Sequence, residues 1–391
     1  MHISEISGNN GKPRSGALRI ESLDCLRGLI MVFMALDHAR TFAFDVSFDL
    51  LDLKRTTFFL FILRWMANFG APLFIFLAGT SAFLLKRRGK TKAELSEYLF
   101  IRGMILITLE LVYFSRILTM STHTILLQVM WVLGLSMIIL SVLVWFPEWV
   151  ILIYGIVLVV GHNLLDGVMV EATSPYYFFW SILHHACQKI QITPTLNFRV
   201  LYPLIPWTGV MALGYVFGRV LLVEKEKRIR IMYWSGAALF LAFIVIRMVN
   251  AYGDPHPWYV RWSFIGTFLT FINCTKYPPS FIFLLMTLGP GLILMGYFEK
   301  RIPRICIPFM VFGRVPFFYY IIHFPMLLFV MAVGGVAIKG VSISNMAMDN
   351  LKGGFFYILF IWIASVIALY PLCRWYCDKK TEKNWKWMRY F

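Results

Sequence analysis

The sequence predicts an all-α polytopic membrane protein of about ten transmembrane helices, with both termini in the cytoplasm. Of its 391 residues, 59% are hydrophobic and only 15% are charged, and the mean hydropathy is +0.72. These values are typical of chains whose apolar segments face lipid and each other. The net charge of +17 comes from basic residues in short segments between apolar runs. It therefore indicates membrane topology rather than nucleic-acid binding.

Ten apolar segments are each long enough to cross a bilayer, which takes about 20 helical residues. The polar stretch 1–18 predicts a disordered cytoplasmic tail and 378–391 a second cytoplasmic tail, so 19–377 form one membrane domain. The ten segments, with ends defined to within several residues, are about 24–44, 57–85, 98–118, 124–145, 148–165, 202–223, 231–249, 278–298, 307–337 and 354–373.

Basic clusters provide a check on this count. They follow the second, sixth, eighth and tenth segments, at 86–92, 224–230, 299–304 and 378–383. With ten helices and a cytoplasmic N-terminus, every cluster falls on the cytoplasmic side, as the positive-inside rule requires. One helix more or fewer before any cluster would break the agreement.

The first segment carries ionisable residues at both ends of its apolar middle. Charged groups at membrane depth cost roughly 2.5–3.5 kcal/mol each, so they normally face a protein interior or a water-filled cavity. Arg27 and His38 are eleven residues apart, which places them on one helix face roughly 16 Å apart. Asp24 lies one turn from Arg27, and Asp37 adjoins His38. The pattern fits either an Asp24–Arg27 ion pair with an interior histidine, or a ligand site along that face.

The other intramembrane polar residues fall into two layers in this topology. Arginines suit the phosphates of a cytoplasmic ligand, and histidines with carboxylates suit proton transfer; snorkelling arginines and hydrogen-bonded interior histidines fit the same pattern. Arg64 and Asn68 are four residues apart and are predicted to share a helix face. The inner layer contains Arg27, Arg102 and Arg314, and the outer layer contains Asp37, His38, Arg40, Arg64, Asn68, Glu110 and His323.

Two connections are too long for simple turns and are predicted on the outer side. The first, about 161–201, has an aromatic run that indicates an interfacial or re-entrant segment, and the second, about 250–277, starts with Gly and Pro residues that prevent a regular helix there. His184 and His185 point in different directions on any helix or strand, and the cysteines lack C-x-x-C spacing. The sequence thus predicts neither a metal site nor a disulfide framework.

Prolines and glycines indicate breaks and close contacts within the helices. Pro72 and Pro290 interrupt the second and eighth segments, where freed carbonyls need protein or a cavity to satisfy them. Gly79, Gly103 and Gly134 are predicted to allow close helix packing. The chain shows no internal sequence repeat and no inverted pair of broken segments, which disfavours a secondary transporter.

Six strings of residues occur together in this chain: SLDCLRGL, MALDH, RWMANFGAPLFIFLAGTSAF, YGDPHPW, TKYPPSFIFLLMTLGP and FGRVPFFYYIIHFP. Together they resemble the bacterial branch of the heparan-alpha-glucosaminide N-acetyltransferase catalytic-domain family. The resemblance covers roughly 19–323. Arg27 and His38 also match the R-x(10)-H spacing of the related acyltransferase-3 membrane enzymes.

The resemblance implies a membrane acyltransferase, located in a bacterial plasma membrane. It would move an acyl group, such as acetyl, from cytoplasmic acyl-CoA to a hydroxyl or amine of an extracytoplasmic glycan or metabolite. By the same resemblance His38 is the catalytic base and Arg27 a contact to the donor. No metal is expected, and the partners are the bilayer, the donor and the acceptor, with a homodimer left open.

These roles extend to the other polar residues of the two layers. We expect Asp37 or Glu110 to hold the His38 imidazole, and His323 is a second candidate base. A proton-coupled transporter or a non-catalytic membrane subunit would use the same scaffold differently. The remaining assignments are donor binding by Arg27, Arg102 and Arg314, and acceptor binding by Arg40, Arg64 and Asn68.

Overall fold

The protein is a helix bundle, seen here in a computed structural model that describes residues 20–44, 51–186, 189–342 and 347–382. The predicted N-terminal tail lies outside these residues, as does 383–391 of the predicted C-terminal tail. The helices are α1 (Glu21–Ala43), α2 (Phe58–Met66), α3 (Gly70–Arg87), α4 (Lys92–Leu109), α5 (Ser115–Thr119), α6 (Val129–Leu143), α7 (Glu148–Gly161), α8 (Tyr177–Leu183), α9 (Leu204–Phe217), α10 (Lys225–Val249), α11 (Phe264–Ile272), α12 (Phe281–Lys300), α13 (Phe309–Arg314), α14 (Pro316–Lys339), α15 (Met348–Leu351) and α16 (Phe355–Glu382).

Within the described residues, eight helical stretches are long and apolar enough to cross a membrane. They contain α2 with α3, α4 with α5, and α7, α9, α10, α12, α14 and α16. The other two predicted segments correspond to α1, whose charged residues lower its hydropathy, and to α6, which has 15 residues. Both pack inside the bundle, α1 against α13 and α16, and α6 against α4 and α9. The prediction of an all-α polytopic membrane fold is confirmed.

Ion pairs bring the predicted basic clusters together at one end of the bundle, which we call the basic end. Glu148 at the start of α7 pairs with Lys86 of α3 at 3.5 Å and with Arg219 at 3.0 Å. Glu299 of α12 pairs with Arg228 of α10. The clusters after the second, sixth and eighth segments therefore share one side, as the positive-inside pattern predicted. That this side is the cytoplasm remains a prediction.

The first long connection contributes two strands to a small sheet that the sequence analysis did not predict. Three strands, β1 (Thr124–Leu127), β2 (Lys189–Thr193) and β3 (Leu196–Val200), pair in the order β1-β3-β2. β1 runs parallel to β3, and β2 is antiparallel to it. The predicted helix at 124–145 was therefore wrong at its start, because 124–127 pair with a strand about 70 residues away and α6 begins only at Val129.

A buried arginine organises the second long connection. Arg247, at the end of α10, is 1% exposed and donates hydrogen bonds of 2.9–3.1 Å to four carbonyl oxygens of residues 256–273. Asp254 lies 3.8 Å from Arg247 and accepts from the Thr275 amide and the Ser280 hydroxyl. This network holds the irregular start of the connection against α11 and the N-terminus of α12.

Two pairs of facing glycines set close helix contacts. A Cβ on Gly28 would lie 1.8 Å from the Phe309 oxygen, and one on Gly313 would lie 1.8 Å from the Asp24 oxygen. Any side chain there would push α1 and α13 apart. Gly103 and Gly134 play the predicted part between α4 and α6, since a Cβ on either would lie 2.6 Å from the other's carbonyl oxygen.

The break in the second predicted segment lies before the proline, not at it. Residues Ala67–Phe69 form a 3-10 turn between α2 and α3. Pro72 then occupies the first turn of α3, where a backbone N–H has no intrahelical partner in any case. Pro290 lies within α12 without ending it.

Candidate functional site

The three arginines of the predicted inner layer line one cavity at the basic end. This cavity of about 450 Å³, which we call the arginine cavity, lies among α1, α3, α4, α6 and the start of α14. Asp24 is the single carboxylate among its described lining residues. Against it stand five basic residues, Arg27, Arg88, Arg102, Arg314 and Lys380. The wall therefore carries a strong excess of positive charge.

Arg27 is fixed by its neighbours rather than extended to an interface. Its guanidinium donates to the Ser81 hydroxyl at 2.7 Å and to the Gly313 carbonyl at 3.2 Å, and it lies 3.6 Å from Asp24. The Asp24–Arg27 ion pair that the sequence allowed is thus present, and Arg27 also lines the cavity. Both features follow from the close approach of α1 to α13 at Gly313.

Arg102 and Arg314 complete the predicted layer from two other helices. Arg102 donates to the Tyr98 hydroxyl at 2.6 Å, one turn earlier on α4. The Nε atoms of both arginines are buried and have no hydrogen-bond partner within the described residues. Unpaired buried donors are rare in folded proteins, because each carries a desolvation penalty of about 1–3 kcal/mol. An anion in the cavity would provide acceptors close to these groups.

A second cavity, of about 150 Å³, lies further along the bundle and contains His38; we call it the histidine cavity. Its walls come from α1, α2, α3, the start of α6 and the second long connection. The charged and titratable residues in its wall are Asp37, His38, Arg40, Arg64, Tyr202, Lys276, Tyr277 and Tyr320. Arg27 and His38 thus face two successive cavities from one side of α1, as their spacing predicted.

His38 is held by another histidine. Its Nδ1 lies 2.7 Å from Nε2 of His323, and the Nδ1 of His323 lies 2.7 Å from the Tyr320 carbonyl oxygen. A carbonyl oxygen only accepts, so the Nδ1 of His323 carries a proton and its Nε2, in the neutral ring, is an acceptor. His38 therefore donates from Nδ1, which leaves a lone pair on its Nε2 for the histidine cavity. Both rings are buried or half-buried, which favours the neutral form of each.

The carboxylates that were predicted to hold the imidazole do something else. Asp37 accepts from Arg40 at 3.0 Å and from Arg64 at 3.1 Å. Glu110 is fully buried at the beginning of a π-helical turn, Glu110–Phe114, and accepts from the Met130 and Trp131 amides. Neither carboxylate bonds the His38 ring. Asp37 neutralises one of two guanidinium charges, and Glu110 satisfies orphan amides at the N-terminus of α6.

The predicted acceptor-side residues separate into two groups. Arg40 and Arg64 line the histidine cavity, whereas Asn68 does not. Asn68 is 1% exposed, and its Oδ1 has no hydrogen-bond partner within the described residues. Arg64 lies in α2, whereas Asn68 lies in the 3-10 turn at 67–69 that follows it.

Lys276 is a cavity residue that the sequence analysis missed. It lies 7% exposed in the histidine cavity, with its Nζ 5.4 Å from the centre of the Tyr277 ring. Burial lowers the pKa of its ammonium group below the usual lysine range. Within the described residues it forms no ion pair with a carboxylate. Its presence in the TKYPPS string was the available signal, but no sequence rule brings that loop beside His38.

These features define a multi-pass membrane protein with a cationic cavity and a smaller, mixed-charge cavity whose wall contains one member of a histidine pair. The family model described as heparan-alpha-glucosaminide N-acetyltransferase, catalytic, matches residues 19–249, which is more than half of the chain. The chain belongs to this family, which implies membrane N-acetyltransferase activity. A search of curated proteins found no matching relative. The matched residues include Arg27 and His38 and end before Lys276, Arg314 and His323.

Proposed function

We propose that this protein transfers a short acyl group, such as acetyl, from acyl-CoA in the arginine cavity to a hydroxyl or amine in the histidine cavity. The observation that carries the proposal is the pair His38–His323. It occupies the Nδ1 of His38 and leaves the Nε2 of this cavity-lining residue available as a proton acceptor. The acceptor is an extracytoplasmic glycan or related metabolite, and the membrane is a bacterial plasma membrane.

The charge of the arginine cavity supports a donor with several phosphates. Coenzyme A carries a diphosphate and a further phosphate, and guanidinium groups bind phosphate oxygens through paired, charge-assisted hydrogen bonds. Five cations face one carboxylate in that wall. Arg27, Arg102 and Arg314 would hold the phosphates from three different helices.

The chemistry then needs one proton acceptor and no covalent enzyme intermediate. His38 Nε2 takes the proton from the acceptor's hydroxyl or amine as its oxygen or nitrogen bonds to the thioester carbonyl carbon. The C–S bond breaks as the carbonyl re-forms, and the leaving thiolate takes the proton back from the His38 imidazolium. His323 holds the His38 ring throughout, and Lys276 provides a positive charge in the same cavity.

The cleanest test separates binding from chemistry. Purified protein is heated with and without acetyl-CoA, and free coenzyme A thiol is measured in the presence of glucosamine and other amino sugars. We expect acetyl-CoA to raise the unfolding temperature, because a ligand of the native state stabilises it by mass action. His38→Ala should keep this shift and lose roughly 10²–10⁴ in turnover.

The outcomes distinguish the competing functions. A transporter would move substrate across vesicles without consuming thioester. Absence of both thermal protection and thiol release in the wild-type protein would contradict the proposal. Retention of full turnover in His38→Ala, with its loss in His323→Ala, would move the base to α14.

A further inference from the structure

One side chain separates the two cavities. Phe74 of α3 lines both the arginine cavity and the histidine cavity, and no other lining residue does so among the described residues. It is half-buried although its neighbours on either side in α3 are buried. Its ring therefore stands at the junction, accessible from both.

The accessible face of α3 follows a path from one cavity to the other. Between Gly70 and Leu85, the half-buried positions of this helix are spaced by four, four, three and four residues, which is one helix face. Gly70 and Phe74 line the histidine cavity, and the positions from Phe74 onward line the arginine cavity. Along this face the side chains are those of Gly70, Phe74, Ala78, Ser81 and Leu85. Going from the histidine cavity towards the arginine cavity, Phe74 is the first large side chain on this face.

Two other helices place the junction at the same level. On α1, Arg27 faces the arginine cavity, and Ile30 and Met34 face the histidine cavity. On α6, Met130 lines the histidine cavity and Leu133 the arginine cavity. On each of the three helices, the residues that line one cavity are replaced by residues that line the other within about one turn. The two cavities are therefore sections of one axial path that the Phe74 ring interrupts.

The proposed donor has to pass this point. Arg27 and His38 are roughly 16 Å apart along α1. The pantetheine arm of coenzyme A has about a dozen chain bonds, and at the extension of a peptide chain it spans about 15 Å. With the phosphates at Arg27, the thioester reaches His38 only if the arm lies alongside the Phe74 ring. The acyl tail beyond the thioester then lies in the 150 Å³ histidine cavity together with the acceptor.

We propose that Phe74 is the partition between the two cavities and that it sets the length of acyl chain that the site accepts. This inference rests on the proposed function. With the ring in place, the acyl tail is confined to the histidine cavity, where each added methylene competes with the acceptor for space. With the ring removed, the cavities join, and a longer tail folds back beside the arm towards Ala78. Phe74 is thus a specificity-determining residue and takes no part in proton transfer.

The test compares donors of increasing length in variants of one helix. Thiol release is measured with acetyl-, butyryl- and hexanoyl-CoA for the wild type, Phe74→Ala and Phe74→Leu. Phe76→Leu is the matched control, because Phe76 is buried against Phe217 and lines neither cavity. We expect the wild type to prefer acetyl-CoA. The ratio of kcat/KM for hexanoyl- to acetyl-CoA should rise about tenfold or more in Phe74→Ala, less in Phe74→Leu and not in the control, since one methylene in a tight pocket is worth roughly 10- to 200-fold.

Separate results would overturn the two proposals. An active wild type whose chain-length ratio is unchanged in both Phe74 variants contradicts the partition alone. A wild type that releases no thiol from any donor contradicts the proposed function as well. If Phe74→Ala does not survive purification, Phe74→Trp replaces it: enlarging the ring should lower acetyl turnover at least several-fold while thermal protection by acetyl-CoA is kept. Equal turnover in Phe74→Trp and the wild type would again contradict the partition.

Discussion

The proton on each ring of the His38–His323 pair is assigned by a single carbonyl group. Tyr320 lies one turn before His323 on α14, so its carbonyl oxygen meets the His323 Nδ1 at 2.7 Å. The hydrogen bonds from the Tyr320 carbonyl through His323 to His38 thus orient the His38 ring without a carboxylate. A carboxylate partner would make the imidazolium more stable and also leave a formal negative charge in the bundle, which is costly at membrane depth.

Changing His323 should therefore affect chemistry and not donor binding. His323→Leu leaves the buried Nδ1–H of His38 without an acceptor, a loss of about 1–3 kcal/mol that frees the ring to turn. We expect kcat to fall roughly tenfold or more. His323→Gln supplies a side-chain carbonyl to the same proton and should recover part of the rate. Equal rates for both variants, with acetyl-CoA protection unchanged, would show that His323 does not position His38.

The arginine cavity makes a different prediction about affinity. Arg314→Ala and Arg27→Ala should each weaken acetyl-CoA binding at least tenfold, because one charge-assisted contact contributes roughly 1.5–3 kcal/mol. Turnover at saturating donor should change less. Arg219→Ala is the control, since Arg219 is a 68% exposed cation at the same end of the bundle, outside the cavity. Unchanged donor affinity in both cavity variants would leave these arginines with a structural role only.

Helix periodicity predicted which residues share a helix face. It could not predict contacts between residues that are far apart in the sequence. The common face of Arg27 and His38 follows from their spacing alone. The partner of His38 is 285 residues away in the sequence. No local rule could therefore choose His323 as that partner over Asp37, which adjoins His38, or over Glu110. Lys276 was missed for the same reason. The break in the second segment was predicted at Pro72, but the 3-10 turn that makes it lies a few residues earlier, at 67–69.

At the scale of elements, the two long connections cover the end of the bundle opposite the basic clusters. Hydrogen bonds hold the strings YGDPHPW and TKYPPS together there. Asp254 of the first accepts from Thr275 and Ser280 of the second. The same loop carries Lys276 and Tyr277 into the histidine cavity. Eight of the ten predicted segments contain described helices long and apolar enough to cross a membrane. The three-stranded sheet was not predicted, since parallel pairing of β1 with β3 joins distant residues.

The Arg247–Asp254 network should be a main determinant of stability at this end. Asp254→Ala leaves the buried Arg247 guanidinium without its carboxylate, and removing one partner of a buried ion pair typically costs about 3–5 kcal/mol. We expect a clear fall in the thermal unfolding temperature and a raised KM for the acceptor, because Lys276 loses its support. Glu171→Ala, an exposed carboxylate in the other connection, is the control. Equal unfolding temperatures for the two variants would contradict this role.

At the scale of the whole molecule, the two cavities lie in series inside one bundle, with the cationic cavity at the basic end. This polarity suits the proposed transfer: a multiply charged donor would enter where the positive-inside rule expects the cytoplasm, and its pantetheine arm would carry the thioester towards the far half of the membrane. The direction of transfer thus depends on the orientation of the bundle.

Impermeant thiol labelling in intact cells tests that orientation. In a background without the native cysteines, Lys92→Cys and Lys227→Cys occupy exposed positions at the basic end, and Glu171→Cys occupies an exposed position in the first long connection. We expect the two basic-end cysteines to be protected until the cells are permeabilised, and the cysteine at 171 to react at once. This pattern is expected because short loops rich in lysine and arginine stay in the cytoplasm. Labelling of the cysteine at 227 in intact cells, with protection of the one at 171, would invert the bundle and place the arginine cavity on the side that contains no acyl-CoA.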